Sequence, residues 1–167
     1  VGISTGATIA IGSWLNLAAP TYTGVAGGGA ETITDAATLY INAAPIQGAN
    51  AVLTSTYALW VDDGTVRFDG LLDLSTTASI TASTTQTQGN GALTTTVNEV
   101  SVCANTNDTV TLPVAKAGRV VHIFNNGAQT LQVFPATGGA IDGGADNASV
   151  TMTAGSNHTF IAHSTTA

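Results

Sequence analysis

Charged residues are scarce in this chain. Asp, Glu, Lys and Arg together make up 8% of its 167 residues, whereas an average soluble domain carries about 25%. Thr, Ser, Asn, Gln, Gly and Ala must therefore cover most of the surface. Uncharged polar surfaces supply little electrostatic repulsion between molecules, and they are typical of faces that neighbouring subunits cover. The composition thus predicts a subunit of an assembly.

Basic residues are the rarest of the charged ones. Arg67, Lys116 and Arg119 stand against ten acidic residues, and the formal net charge is -7. Binding to a nucleic-acid backbone requires clustered Lys and Arg side chains that displace counterions from phosphates. Three scattered cations do not supply such a patch, so we expect no nucleic-acid partner.

Cysteine and long apolar runs are also nearly missing. The single cysteine, Cys103, excludes an internal disulfide bond. It lies in the alternating run 100–104, which predicts a small packed thiol rather than a reactive nucleophile. No apolar run approaches the roughly eighteen residues that cross a bilayer, so we expect no membrane insertion.

Helical periodicity is nearly absent. Short runs rich in Val, Ile, Thr and aromatic residues alternate with polar residues, and Gly, Asn and Asp separate the runs. The sequence therefore predicts an all-β protein in three parts. A short-stranded, fibre-like oligomerisation region occupies 1–75, and a compact, jelly-roll-like β-sandwich occupies 94–167. A Ser/Thr/Gln/Gly linker occupies 76–93, for which a thin edge region is the alternative.

The first region is predicted to consist of short strands. They fall at 8–11, 22–25, 38–42, 52–54, 57–62 and 66–69. Asp63-Gly64 separates the last two, and this dipeptide favours a tight β-hairpin turn. One copy of such a region has little apolar area to bury against its ordering entropy, so we expect a homo-oligomer.

The second region has closer turns and better alternation. Its predicted strands fall at 100–104, 109–113, 119–124, 130–134, 149–153 and 159–162. Alternation places Val121 and Ile123 on one face with His122 opposite, pairs Leu131 with Val133, and pairs Val150 with Met152. His158 and His163 fall on opposite faces of one strand, so these histidines predict no zinc site.

One loop contains oxygen ligands at spacings that calcium could use. Asp142, Asp146 and Asn147 lie within a glycine-rich stretch, 138–147. The full EF-hand spacing and a bidentate Glu are missing, and a turn whose Asp and Asn side chains bind their own backbone explains the same residues. The second interpretation predicts no metal and no cofactor.

A second acidic cluster surrounds the predicted hairpin. Asp62, Asp63, Asp69 and Asp73 could in principle supply the paired carboxylates of glycoside hydrolysis. Two of them flank glycines in turns, which is an ordinary place for Asp. We therefore predict no catalytic residues and no enzymatic activity.

Aromatic residues are concentrated in the first half of the chain. Tyr57 and Trp60 could form a platform for sugars beside Asp62, or they could fill a modest or shared core. The core interpretation is favoured, because large aromatic side chains supply most of the buried area in chains of small residues. Glycan binding at these three residues is the alternative.

Several segments carry a resemblance to known proteins. Residues 57–70, Tyr-Ala-Leu-Trp-Val-Asp-Asp-Gly-Thr-Val-Arg-Phe-Asp-Gly, preceded by 39–45, resemble a segment of tailed-bacteriophage fibre and appendage proteins. Residues 117–127, 133–135 and 141–143 resemble modules of phage virion proteins. The resemblance implies a β-rich, usually trimeric virion appendage or capsid decoration with no active-site residues. The C-terminal autocleaving chaperone domain of some phage fibres is not recognisable.

This resemblance and the composition together set the functional expectation. We expect a non-enzymatic virion structural protein at the virion surface, either a capsid decoration or head fibre or a section of a phage fibre. Its partners would be further copies of itself and other virion proteins such as capsid or tail. The alternatives are a tail-fibre adhesin that binds a host receptor or surface glycan, and a subunit of a bacterial surface filament.

Overall fold

The structure is a computed structural model that describes residues 17, 21, 37–39, 41–49, 53 and 56–164. The chain divides into two units, Val1–Arg67 and Phe68–Ala167. Among the described residues there is no helix, and all regular structure is β-strand. The prediction of an all-β protein is therefore confirmed.

All strands of the described residues lie in the second unit. They are β1 (Thr76–Thr81), β2 (Val97–Val102), β3 (Asp108–Thr111), β4 (Val120–Asn125), β5 (Leu131–Phe134), β6 (Val150–Met152) and β7 (Asn157–Ile161). Each strand that the sequence predicts beyond residue 94 is found, with its ends displaced by no more than three residues.

The strands form two sheets. Sheet A has the order β1-β2-β4-β7, and sheet B has the order β3-β5-β6. The pairs β1/β2, β2/β4 and β3/β5 are parallel, whereas β4/β7 and β5/β6 are antiparallel. A jelly-roll pairs its strands antiparallel, so the two-sheet arrangement here has a different connectivity from the jelly-roll that the sequence suggested.

The parallel pairs arise because the chain winds from one sheet to the other and back. Between β2 and its neighbour β4 the chain passes through β3 in sheet B, and between β3 and β5 it passes through β4 in sheet A. Parallel neighbours require a crossover connection, and here a strand of the opposite sheet serves as the crossover. The result is a short stack of coils, which β6 and β7 extend with antiparallel strands.

The core lies between the two sheets. Its fully buried side chains come from both sheets and include Val100, Ile123, Val110, Leu131, Val133 and Met152. Val121 is buried with Ile123, while His122 between them is only half-buried. The alternation read from the sequence is therefore confirmed for β4, as it is for Leu131 and Val133 in β5.

The linker interpretation of 76–93 is wrong, whereas its alternative, a thin edge region, describes β1 at the edge of sheet A. Thr76–Thr81 forms β1 and pairs with β2, and Ala82 and Leu93 belong to the core. The segment looks like a linker because it has few bulky residues, but Thr is a good strand former. Small residues are also required here, since a Cβ on Gly91 would collide with the backbone of Thr109.

The predicted hairpin at 57–69 is also wrong. Neither 57–62 nor 66–69 forms a strand, although Gly64 has the positive φ of a turn glycine, 89°. An isolated two-stranded hairpin is marginal in water because it has no sheet or helix to pack against. No strand occurs at the described residues of 38–42 either. The predicted strands 8–11 and 22–25 lie outside the described residues, and so does 52–54 except for residue 53.

Candidate assembly and ligand-binding surfaces

The three residues predicted for glycan binding lie together. The ring centroids of Tyr57 and Trp60 are 4.7 Å apart with an interplanar angle of 84°, an edge-to-face pair. The indole Nε1 of Trp60 donates a hydrogen bond of 3.2 Å to Oδ1 of Asp62. Trp60 is 65% exposed, so this cluster presents an aromatic surface and a carboxylate to solvent. The prediction that the two rings fill a core is not met within the single chain.

The aromatic cluster begins a longer apolar stretch. Every large apolar side chain from residue 57 to residue 74 is exposed: Tyr57, Leu59, Trp60, Val61, Val66, Phe68, Leu71, Leu72 and Leu74. We call residues 57–74 the exposed segment. Single exposed apolar residues are normal on protein surfaces, whereas large exposed apolar patches are typical of interaction sites.

The four carboxylates of the exposed segment are open to solvent. Asp62, Asp63, Asp69 and Asp73 are all exposed. Oδ1 of Asp63 accepts a hydrogen bond of 2.7 Å from the backbone N–H of Gly64, and Asp62 receives the Trp60 indole. Asp63 therefore serves its own turn, as predicted for an Asp beside a turn glycine, whereas Asp62 binds a neighbouring ring.

The candidate calcium loop satisfies its own backbone. Oδ1 of Asn147 accepts a hydrogen bond of 2.7 Å from the N–H of Gly138, and the N–H of Asn147 donates to the carbonyl of Gly139 at 2.7 Å. Asp142 and Asp146 are exposed, and Asp142 has a φ of 50°. In the described part of the chain, no three His, Cys, Asp or Glu side chains are grouped as a metal site would require.

The histidines lie on different surfaces. Nδ1 of His122 is 2.9 Å from Oγ1 of Thr159, its partner across the β4/β7 ladder. His158 lies opposite Ile123 in the same ladder, so it projects from the other face of the sheet. His163 follows β7 and is exposed. These positions agree with the sequence argument that the histidines do not converge.

Cys103 is a packed thiol, as predicted. It is buried, and its Sγ lies 3.5 Å from the carbonyl oxygen of Thr130. Gly127 packs so closely that an added Cβ would be 2.5 Å from the Cys103 Cβ. Burial raises the pKa of the Cys103 thiol, and the negative charge of Asp108 raises it further. Both effects disfavour the thiolate, which is the reactive form of cysteine.

Asp108 was missed by the sequence interpretation. Its carboxylate is buried and accepts hydrogen bonds from the backbone N–H groups of Asn105 and Ala104, at 2.9 and 3.0 Å. The bond from the Asn105 backbone is the main cause of the lowered pKa of this carboxyl, and it outweighs the opposing effect of burial. Asp108 thus stabilises the turn between β2 and β3. The sequence signal for this role was an Asp in an Asn-rich stretch between two strands.

A shallow groove along sheet A was also missed. It has a volume of about 580 Å³, and its lining includes Leu74, Thr96, Lys116, Arg119, Val120 and His122. We call it the basic groove. The cations are scattered along the sequence, but the fold places two of the chain's three Lys and Arg residues in this groove. The sequence signal for the groove was that Lys116 and Arg119 lie three residues apart just before β4.

The described residues include no helix that is long and apolar enough to cross a membrane. Comparison of the chain with protein-family models, with curated proteins and with solved structures found no match in any of the three.

Proposed function

We propose that this protein is a non-enzymatic structural subunit that assembles with copies of itself, as a capsid decoration, head fibre or fibre section on the virion surface. The exposed segment is the observation that carries the proposal. Leu71 is 97% exposed and Leu59 is 67% exposed, and the chain has few charges to keep such surfaces apart.

The energetics favour an assembled state. Burying one Leu, Val or Phe side chain contributes about 1.5–3 kcal/mol. The exposed segment therefore offers on the order of 10 kcal/mol per chain before the cost of association is subtracted. A trimer is the arrangement that the resemblance to phage appendages supports, because such appendages are usually trimeric.

Sedimentation analysis of the full chain at micromolar concentration tests this proposal. The wild-type protein should be a stable oligomer, and the triple variant Leu59→Ser/Phe68→Ser/Leu72→Ser should be monomeric. Ile161→Ser is the matched control, because Ile161 is 65% exposed but lies outside the exposed segment. A well-folded wild-type chain that is strictly monomeric would contradict the proposal.

A second candidate is an adhesin that binds a host glycan. The specific observation in its favour is the cluster of Tyr57, Trp60 and Asp62, because aromatic surfaces pack on sugar rings and a carboxylate accepts their hydroxyl groups. A glycan array separates the candidates. A purely structural subunit gives no specific hit, whereas an adhesin gives a hit that Trp60→Ala removes and that Phe68→Ala, at another exposed aromatic residue, does not.

The site of assembly distinguishes the virion from a bacterial filament. Electron microscopy of purified particles, with antibody against the chain, should label capsids or tails. Label on isolated filaments without capsids would support a filament subunit instead.

A further inference from the structure

The basic groove lies at one rim of sheet A. Leu74 precedes β1, Thr96 precedes β2 and Arg119 precedes β4, and all three line the groove. Because these three strands are parallel neighbours, the residues before each of them meet at the same rim. The groove is therefore a direct product of the coiled connectivity.

The groove concentrates the positive charge of an acidic protein. Lys116 and Arg119 are two of only three Lys and Arg residues in a chain of net charge -7. The guanidinium of Arg119 donates a hydrogen bond to the carbonyl of Val114, which holds it in position. Leu74 and Val120 add apolar surface beside these cations.

One stretch of the same chain has the complementary chemistry. Residues 59–63, Leu-Trp-Val-Asp-Asp, place two carboxylates next to three exposed apolar side chains. Electrostatic complementarity at a protein interface requires cations on one partner to face carboxylates on the other. Here both sets of charges also lie beside apolar surface.

We propose that the basic groove of one copy binds residues 59–63 of a second copy. Asp62 and Asp63 face Lys116 and Arg119 in this contact, and Leu59 or Trp60 covers Leu74 and Val120. A contact between two different surfaces of the same chain is heterologous, so it closes into a ring such as a trimer or continues as a fibre. The inference rests on the proposed function, for which it supplies the pairing of surfaces.

A polypeptide suits this groove better than a small anion. The groove is shallow and open, so a small ligand would keep most of its hydration, whereas small-molecule sites bury most of their ligand. A segment of chain adds apolar contacts that a free carboxylate or phosphate lacks.

Charge exchange between the two surfaces tests the pairing. Lys116→Glu/Arg119→Glu reverses the groove, and Asp62→Lys/Asp63→Lys reverses the segment. Each variant alone should associate at least about tenfold more weakly than wild type, and the quadruple variant that carries both reversals should recover association, since each reversed groove then meets a reversed segment on the next copy. Circular dichroism checks that both variants fold, and Lys116→Glu alone provides a groove variant that keeps the Arg119 bond to Val114.

The outcomes separate this inference from the proposed function. Recovery of association in the quadruple variant, measured by sedimentation, supports the groove–segment contact. If wild type assembles but neither reversal weakens it, or if both reversals weaken it and the quadruple variant does not recover, the contact is wrong while self-assembly stands. If wild type is monomeric, the proposed function itself fails and the contact fails with it.

Discussion

The buried side chain of Asn125 tests how neighbouring coils of the second unit are held together. Its Nδ2 donates to the carbonyls of Gln129, Met152 and Thr153 at 3.0, 3.0 and 3.1 Å, and its Oδ1 accepts from the N–H of Gly127 at 3.2 Å. The residue is 0% exposed. One amide thus joins the end of β4, the turn before β5 and the connection from β6 to β7.

We expect Asn125→Ala to lower the free energy of unfolding by about 3–4 kcal/mol. A net hydrogen bond contributes about 1 kcal/mol, and a buried backbone group left without a partner costs about 1–3 kcal/mol. The neighbouring variant Asn126→Ala is the matched control. Asn126 is exposed, and its side chain donates one bond of 2.9 Å to Oε1 of Glu99, so its loss costs less than about 1 kcal/mol.

Urea unfolding followed by far-ultraviolet circular dichroism measures the difference at a fixed protein concentration. For a slope of roughly 1–3 kcal/mol per molar urea, the midpoint of Asn125→Ala should fall by about 1 M or more, while that of Asn126→Ala should stay near wild type. Asn125→Asp should be at least as harmful at neutral pH, because it places a carboxylate among three carbonyl oxygens. Equal midpoints for Asn125→Ala and Asn126→Ala would refute the reasoning.

Four further predictions concern other features. The Cys103 thiol should resist a disulfide reagent until the chain unfolds, whereas a cysteine placed at the exposed neighbour by Ala104→Cys should react at once. The pKa of Asp108 is lowered from its ordinary value of 3.8, so the ionised carboxylate stabilises the folded state above that pH, and this stabilisation is lost as the pH falls through the pKa of the folded state. The loss of unfolding free energy caused by Asp108→Asn should therefore become smaller below about pH 4. Chelation of calcium should leave Tm nearly unchanged, and a large fall restored by calcium would contradict the turn interpretation of 138–147. A fragment of residues 68–167 should unfold cooperatively at a higher temperature than one of 94–167, which lacks β1, and equal Tm values would show that β1 adds no stability.

Strand positions in the second half could be predicted because local patterns determine them. The inward positions of Val121 and Ile123 follow from simple alternation, and they are buried. The partners of each strand could not be predicted in the same way. Val97 lies opposite Thr76 on one side and His122 on the other, and nothing in the local pattern distinguishes this parallel pairing from an antiparallel one.

The errors have a common physical cause. Residues 76–93 were predicted to be a linker because they have few bulky side chains. Residues 57–69 were predicted to be a hairpin because of the Asp63-Gly64 turn signal. In both places the outcome depends on what the chain packs against. Thr76–Thr81 has β2 as a neighbour and becomes a strand, whereas the exposed segment has strong strand formers and forms no strand among the described residues. Tertiary context overrides local preference in each case.

The edges of the sheets bear on how the subunits join. β1 lies at the edge of sheet A, and edge strands pair with other chains when they are long and flat. The register of β1 against β2 shifts twice, and Ser79 has a φ of 61°, so β1 is irregular and a poor template for a further strand. Strand addition is therefore disfavoured at this edge, and the proposed assembly relies on side-chain surfaces instead. The exposed segment supplies apolar area for such contacts, and the basic groove supplies positive charge.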